Sequence, residues 1–164
     1  MRRPRGKGFW LALLVAVIAT AVTLALWYRQ PGEPLTAELL AGARARWEER
    51  GPRAYDLVVS VSGAQEGEHR IEVRDGRVTK MTTGGAAVRE GAWEYWSVDG
   101  MFRFLQTELS NRERAGEAFG ADAADVELRV VFDAGYGYPA RFLRHVMGRR
   151  KSVEWKVRSF RAKN

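Results

Sequence analysis

The sequence contains no cysteine, which excludes a disulfide scaffold, a thiolate metal site, a cysteine nucleophile and a lipid-modified N-terminal cysteine. Histidine is nearly absent too. His69 and His145 are the only two, and without an H-x-H or H-x-x-x-H spacing a metal site would need carboxylates gathered from distant strands. Both histidines read as structural or solvated side chains. No G-x-S-x-G presents a serine nucleophile, and Ser60, Ser62, Ser97 and Ser152 suit strand, cap and turn roles. The glycine-rich stretch Thr83 to Ala87 lacks the G-x-x-x-x-G-K-[ST] spacing of a phosphate-binding loop. The chain also lacks repeats and low-complexity tracts. These absences predict a protein that is not an enzyme and carries no cofactor.

What is present is unevenly distributed. The formal net charge is +7 over 164 residues. Residues 1–8 (MRRPRGKG) carry Arg2, Arg3, Arg5 and Lys7 with no acid, residues 29–140 are mildly acidic, and residues 141–164 set nine cations against Glu154 alone. No single charge describes the molecule, so a reading of the whole chain as a basic nucleic-acid binder loses its footing.

The stretch from Phe9 to Trp27 (FWLALLVAVIATAVTLALW) has no charge, proline or glycine. As a helix of 19 residues it would extend roughly 28 Å, close to the hydrocarbon thickness of a bilayer. Trp10 at one end and Trp27 with Tyr28 at the other suit the headgroup level. The cations in residues 1–8 place the N-terminus in the cytoplasm, and Glu33 and Glu38 follow the run on the other side. A cleaved signal peptide would have a shorter apolar core followed by small residues, whereas Leu26, Trp27, Tyr28 and Arg29 follow here. The expected organisation is a cytoplasmic tail over 1–8, a transmembrane signal anchor over 9–28, a linker over 29–35 and an extracytoplasmic domain over 36–161. The expected location is the plasma (inner) membrane, crossed once, with the bilayer as partner through residues 9–28.

Within the body, Thr36 is a plausible N-cap for a helix over 37–50 with Glu38 in its first turn. Leu39, Leu40, Ala43 and Trp47 share one stripe, and Gly51-Pro52 ends it. The period then becomes two: Tyr55, Leu57, Val59 and Val61 alternate with polar residues. A second strand carries His69, Ile71 and Val73, and Asp75-Gly76 predicts a hairpin to a third over 77–82. Residues 83–96 read as irregular. Ser97 caps a second helix that ends near Asn111, residues 112–124 read as a loop, and strands follow over 126–132, 138–147 and 152–160. The expected fold class is α+β, an antiparallel sheet of five to six strands with two helices on one face.

The run Trp47, Glu48, Gly51, Tyr55, then VRDGRV (73–78), SVDGMF (97–102) and VVFDAGYGYPAR (130–141) resembles a family of small exported bacterial domains of unknown function, many of them lipoproteins. The resemblance covers residues 37–160 and implies an envelope location and a compact α+β fold, with no activity. The chain departs from it where a Cys-x-Cys pair would stand, since Ser60, Val61 and Ser62 occupy that stretch.

Two groups of residues are candidates for contact with a partner. Trp93, Trp96, Tyr136 and Tyr138 lie in loop-rich stretches where exposed rings would grip a ligand, with Glu90, Glu94, Asp99 and Asp133 as the nearby acids; the competing reading of Gly135 to Pro139 is a turn held by two tyrosines. The second group is basic. Arg149, Arg150 and Lys151 form a turn, and Lys156 and Arg158 lie on the polar face of the last strand. They would meet anionic headgroups or an acidic envelope polymer, or they only guard an edge strand against pairing. The expected protein is a membrane-anchored binding or structural module of the cell envelope, and the alternative is a small envelope enzyme with a shallow site at the aromatic loops.

Overall fold

The computed structural model describes residues 32–63, 66–93, 95–121, 123, 125–147 and 152–163. Helix α1 (Ala37–Arg50) starts where Thr36 Oγ1 accepts the Leu39 amide at 3.2 Å and stops where the Gly51 amide bonds the Trp47 carbonyl. Its apolar stripe buries Leu40, Ala43 and Trp47. The chain then turns into β2 (Tyr55–Gly63), whose inward residues Tyr55, Leu57 and Val59 are almost fully buried while the intervening positions are half-exposed. Strands β3 (Gly67–Arg74) and β4 (Arg77–Thr83) form the expected hairpin. Asp75 at φ 51° and Gly76 at φ 75° occupy the left-handed region that this tight turn requires.

Helix α2 (Val98–Glu113) is capped by Ser97, whose Oγ accepts the Gly100 amide at 3.0 Å. It buries Val98, Met101, Phe102, Leu105 and Leu109 at helical spacing. Short helix α3 (Ala115–Phe119) follows within what reads from sequence as a loop. Strands β6 (Val126–Phe132), β7 (Pro139–Val146) and β8 (Val153–Ala162) complete the chain.

With the short strands β1 (Glu33–Pro34) and β5 (Ala86–Ala87), the described residues form an antiparallel sheet of eight strands in the order β1-β6-β7-β8-β2-β3-β4-β5. This corrects the expected five to six strands, and the described residues hold three α-helices where two were expected. The extra strands, β1 and β5, are two-residue pieces that carry no readable period. Both are sheet edges, and so short an edge offers little template for pairing with another chain. The order corrects a second expectation. Strand β8 is not an outer strand: it lies between β7 and β2, paired with β2 along its length and with β7 over Val153–Lys156, so Lys156 does not guard a free edge.

A third correction concerns the N-terminus. The expected transmembrane helix is not part of this architecture: among the described residues no helix is long and apolar enough to cross a membrane. The apolar run over 9–28 and the basic tail over 1–8 lie outside those residues.

Residues from Leu35 to Trp155 form one buried core between the helices and the inward face of the sheet. Removing a large side chain from it, such as the 2% exposed Phe102, leaves a cavity that costs about 3–5 kcal/mol. The other face of the sheet has no layer over it among the described residues. Its outward positions alternate with the core positions and carry mostly charged and polar side chains, with Val58 and Val131 among them.

Candidate functional site

Residues between β4 and α2 form a cleft of about 910 Å³. One wall is the β3–β4 turn and the start of β4, with Gly76, Arg77, Val78 and Thr79; the other holds Glu90, Trp93, Ser97, Asp99 and Arg103. Local structure places each of these. A single 3₁₀ turn (Glu90–Ala92) brings the chain round, the Trp93 amide bonds the Glu90 carbonyl at 3.1 Å, and the Trp96 amide bonds Trp93 O at 2.9 Å. The Trp93 indole is fixed by its own Nε1, which donates to the Val88 carbonyl at 2.9 Å. A half-buried ring is thus held at the cleft without another side chain spending its polar groups on it.

The start of α2 reaches the cleft, but three of its first four amides are already in use. Tyr55 Oη accepts the Val98 amide, Ser97 Oγ accepts that of Gly100, and the Ser97 carbonyl accepts that of Met101 at 2.8 Å. Attraction for an anionic group therefore comes from Arg77 and Arg103, with Glu90 and Asp99 opposing it. The cleft suits a polar ligand that presents both donor and acceptor groups and a face to lie against Trp93. It contains no histidine.

The four aromatic candidates divide. Trp93 lines the cleft. Trp96 packs on the His69 ring with centroids 4.3 Å apart, and Tyr136 and Tyr138 lie on Phe160 at 5.5 and 4.5 Å. Phe160 in turn stacks on Tyr55, against which Trp47 is set edge-on. The GYGYP segment is accordingly a turn: Asp133 Oδ1 accepts the amides of Gly135 and Tyr136, and the Gly137 amide bonds Asp133 O at 3.0 Å. Gly137, at φ 83°, approaches α1 so closely that a Cβ there would meet the Ala43 carbonyl oxygen at 2.5 Å.

Among the acids, Glu90 and Asp99 line the cleft, Asp133 organises the turn, and Glu94 lies outside the described residues. His69 Nδ1 is 2.7 Å from Thr83 Oγ1, and His145 Nδ1 is 2.8 Å from Ser152 Oγ. Burial lowers the His69 pKa below its ordinary value. Among the described residues no group of three His, Asp or Glu side chains could hold a metal ion.

Of the basic candidates, Lys156 and Arg158 are exposed on β8, whereas Arg149, Arg150 and Lys151 lie outside the described residues. The nearby acid Asp56 is engaged by other cations. Asp56 is 2.9 Å from Arg74 and 3.0 Å from Lys163. Burial works to raise its carboxyl, but those two cations outweigh it and hold the carboxyl below the usual range.

Sequence reading missed one charged group. Glu108 is bonded to Arg144 at 2.7 Å with only 4% of the Glu108 side chain exposed, and the Arg144 guanidinium lies 5.0 Å from the centre of the Phe119 ring. Burial raises the Glu108 pKa despite the opposing attraction of Arg144. The signal was there: Glu108 interrupts the stripe of Leu105 and Leu109, and Arg144 falls between the buried Phe142 and Val146 of one strand face.

A family of unknown function, DUF6174, matches residues 39–143. The chain belongs to that family. The DUF6174 match runs from α1 into β7, so it contains the cleft, the GYGYP turn and Glu108, while β8 falls beyond it. Membership carries no activity, and it does not bear on export or lipid modification. No curated protein matches the chain.

Proposed function

We propose that this DUF6174 protein is a membrane-attached binding module of the cell envelope, displaying its α+β body on the extracytoplasmic side and taking a polar ligand in the cleft beside Trp93. The cleft is the observation that carries the binding reading. It joins a fixed indole, two guanidinium groups and two carboxylates on three separate elements, a mixture suited to orienting a ligand by several weak polar contacts. Catalysis is the weaker reading, because both histidines face hydroxyl partners elsewhere and the Ser97 hydroxyl serves the α2 cap.

Support for attachment comes from the sequence: four cations before an uncharged apolar run that is flanked by Trp10, Trp27 and Tyr28.

The binding reading is tested with the full-length chain carrying a Thr79→Cys substitution, labelled with an environment-sensitive fluorophore at what is then its sole thiol. Neutral and acidic oligosaccharides and short peptides serve as probes. A saturable response that is lost on adding Trp93→Ala supports the cleft as the site. No response to any probe, or one indifferent to Trp93, removes it.

A further inference from the structure

We propose that the open face of the sheet docks onto an anionic phospholipid surface through Lys156, Arg158 and Arg161 of β8. Register places Lys156 opposite Ser60 and Arg161 opposite Asp56, whose neighbours in β2, Leu57 and Val59, are buried on the other face. Arg158 is the extra residue where the register shifts, because Val59 faces Val157 and Val58 faces Ser159. That bulge aims it across β2, where its Nε donates to Ser60 Oγ at 2.8 Å.

These three cations have no ion-pair partner among the described residues, and the acids around them are engaged. Lys163 and Arg74 hold Asp56, Lys80 is 3.2 Å from Glu72, and Arg141 Nε bonds Glu154 at 2.6 Å. Arg158 and Arg161 also border a groove of about 440 Å³ shared with Arg70 and Lys80 and floored by Val58. The result is uncompensated positive charge in the middle of a broad exposed face. For Lys156 the position removes the simplest structural role, since β8 is paired with both β7 and β2 there and has no free backbone edge to protect.

Charge complementarity names an anionic partner, and chain length favours a lipid. The inference rests here on the membrane attachment proposed above. The apolar run ends at Trp27 and β1 begins at Glu33, so the five residues between them reach at most about 18 Å. A body tethered that closely meets headgroups at high effective concentration, where each cation near the surface adds attraction.

The test uses the full chain, carrying a single reporter thiol at Ser62→Cys on the open face or at Thr107→Cys on the exposed side of α2. Each is mixed with phosphatidylcholine vesicles that contain or lack phosphatidylglycerol. Flotation reports attachment, and the rate of reaction with an uncharged maleimide reports docking. The proposal expects labelling at Ser62→Cys to slow several-fold on anionic vesicles and to recover with salt, which shortens the screening length. Adding Lys156→Glu and Arg161→Glu should restore the rate, with Thr107→Cys unchanged throughout as evidence that the fold persists. Flotation with both vesicles but equal rates at Ser62→Cys overturns docking and leaves attachment standing. Flotation only with anionic vesicles keeps docking and removes the apolar run as anchor. Flotation with neither overturns both. Slowing that also requires an added acidic polysaccharide would assign the face to a polymer and overturn the lipid proposal.

Discussion

The hydroxyl of Tyr55, at the start of β2, accepts the backbone amide of Val98, at the start of α2, over 2.9 Å in the buried core. One tyrosine thus joins the sheet to the helix that forms a wall of the cleft. Tyr55→Phe keeps the ring packing on Trp47 and Phe160 and leaves the Val98 amide without its acceptor. The expected cost is about 1–3 kcal/mol, read from urea unfolding; a variant as stable as the parent would show that this bond is dispensable. Burial also raises the Tyr55 pKa in the folded protein. The stability it contributes is therefore complete below its unfolded pKa and is lost as pH climbs through the alkaline range towards the folded value. Tyr55→Phe should flatten that alkaline loss.

His69 gives the opposite dependence. Its folded pKa lies below the ordinary 6.5 because burial under Trp96 disfavours the imidazolium. The unfolded chain takes up the proton first, so stability is complete above 6.5 and declines as pH falls from there through the folded pKa. A His69→Gln variant should lose less stability across that window. An NMR titration midpoint at or above 6.5 for His69 would contradict the assignment.

Glu108 and Arg144 form an ion pair where the fold has little water to offer. Arg144→Met leaves the Glu108 carboxylate buried without its cation and should cost about 3–5 kcal/mol, whereas Glu108→Met with Arg144→Met should recover much of that loss. Equal destabilisation of the single and double variants, measured by chemical denaturation, would mean that the pair has no such coupling.

The GYGYP turn depends on one glycine. Gly137→Ala places a Cβ against the Ala43 carbonyl at a positive φ, and the strain should exceed about 1 kcal/mol. Gly76→Ala, which meets no atom within 4 Å, should cost less because only its φ is unfavourable. The difference in melting temperature between the two variants separates steric contact from backbone conformation.

Much of this fold was legible because local chemistry and tertiary context agree. Thr36 and Ser97 cap the helices they were expected to cap, the Tyr55 to Val61 alternation is the core face of β2, and Asp75-Gly76 makes its hairpin. What escaped depends on partners distant in sequence. Glu33-Pro34 reads as linker because proline suppresses a strand signal, yet it pairs with Val130 and Arg129 at an edge where the missing amide is harmless. Strand β8 reads as an edge because it comes last in the chain; only the long-range pairing with β2 places it in the centre. The site followed the same rule. Trp93 was visible as an aromatic loop residue, but Arg77 and Arg103 join it only once β4 and α2 are brought together. Tyr138, equally aromatic, belongs to the Phe160 stack.

The central claim is that this body is displayed outside the cytoplasm on a membrane-attached chain. A pair of reporters fused after Asn164, one active only outside the cytoplasm and one only inside, measures that directly in intact cells. The account predicts activity of the outside reporter alone, in the membrane fraction. Activity of the inside reporter alone would contradict it.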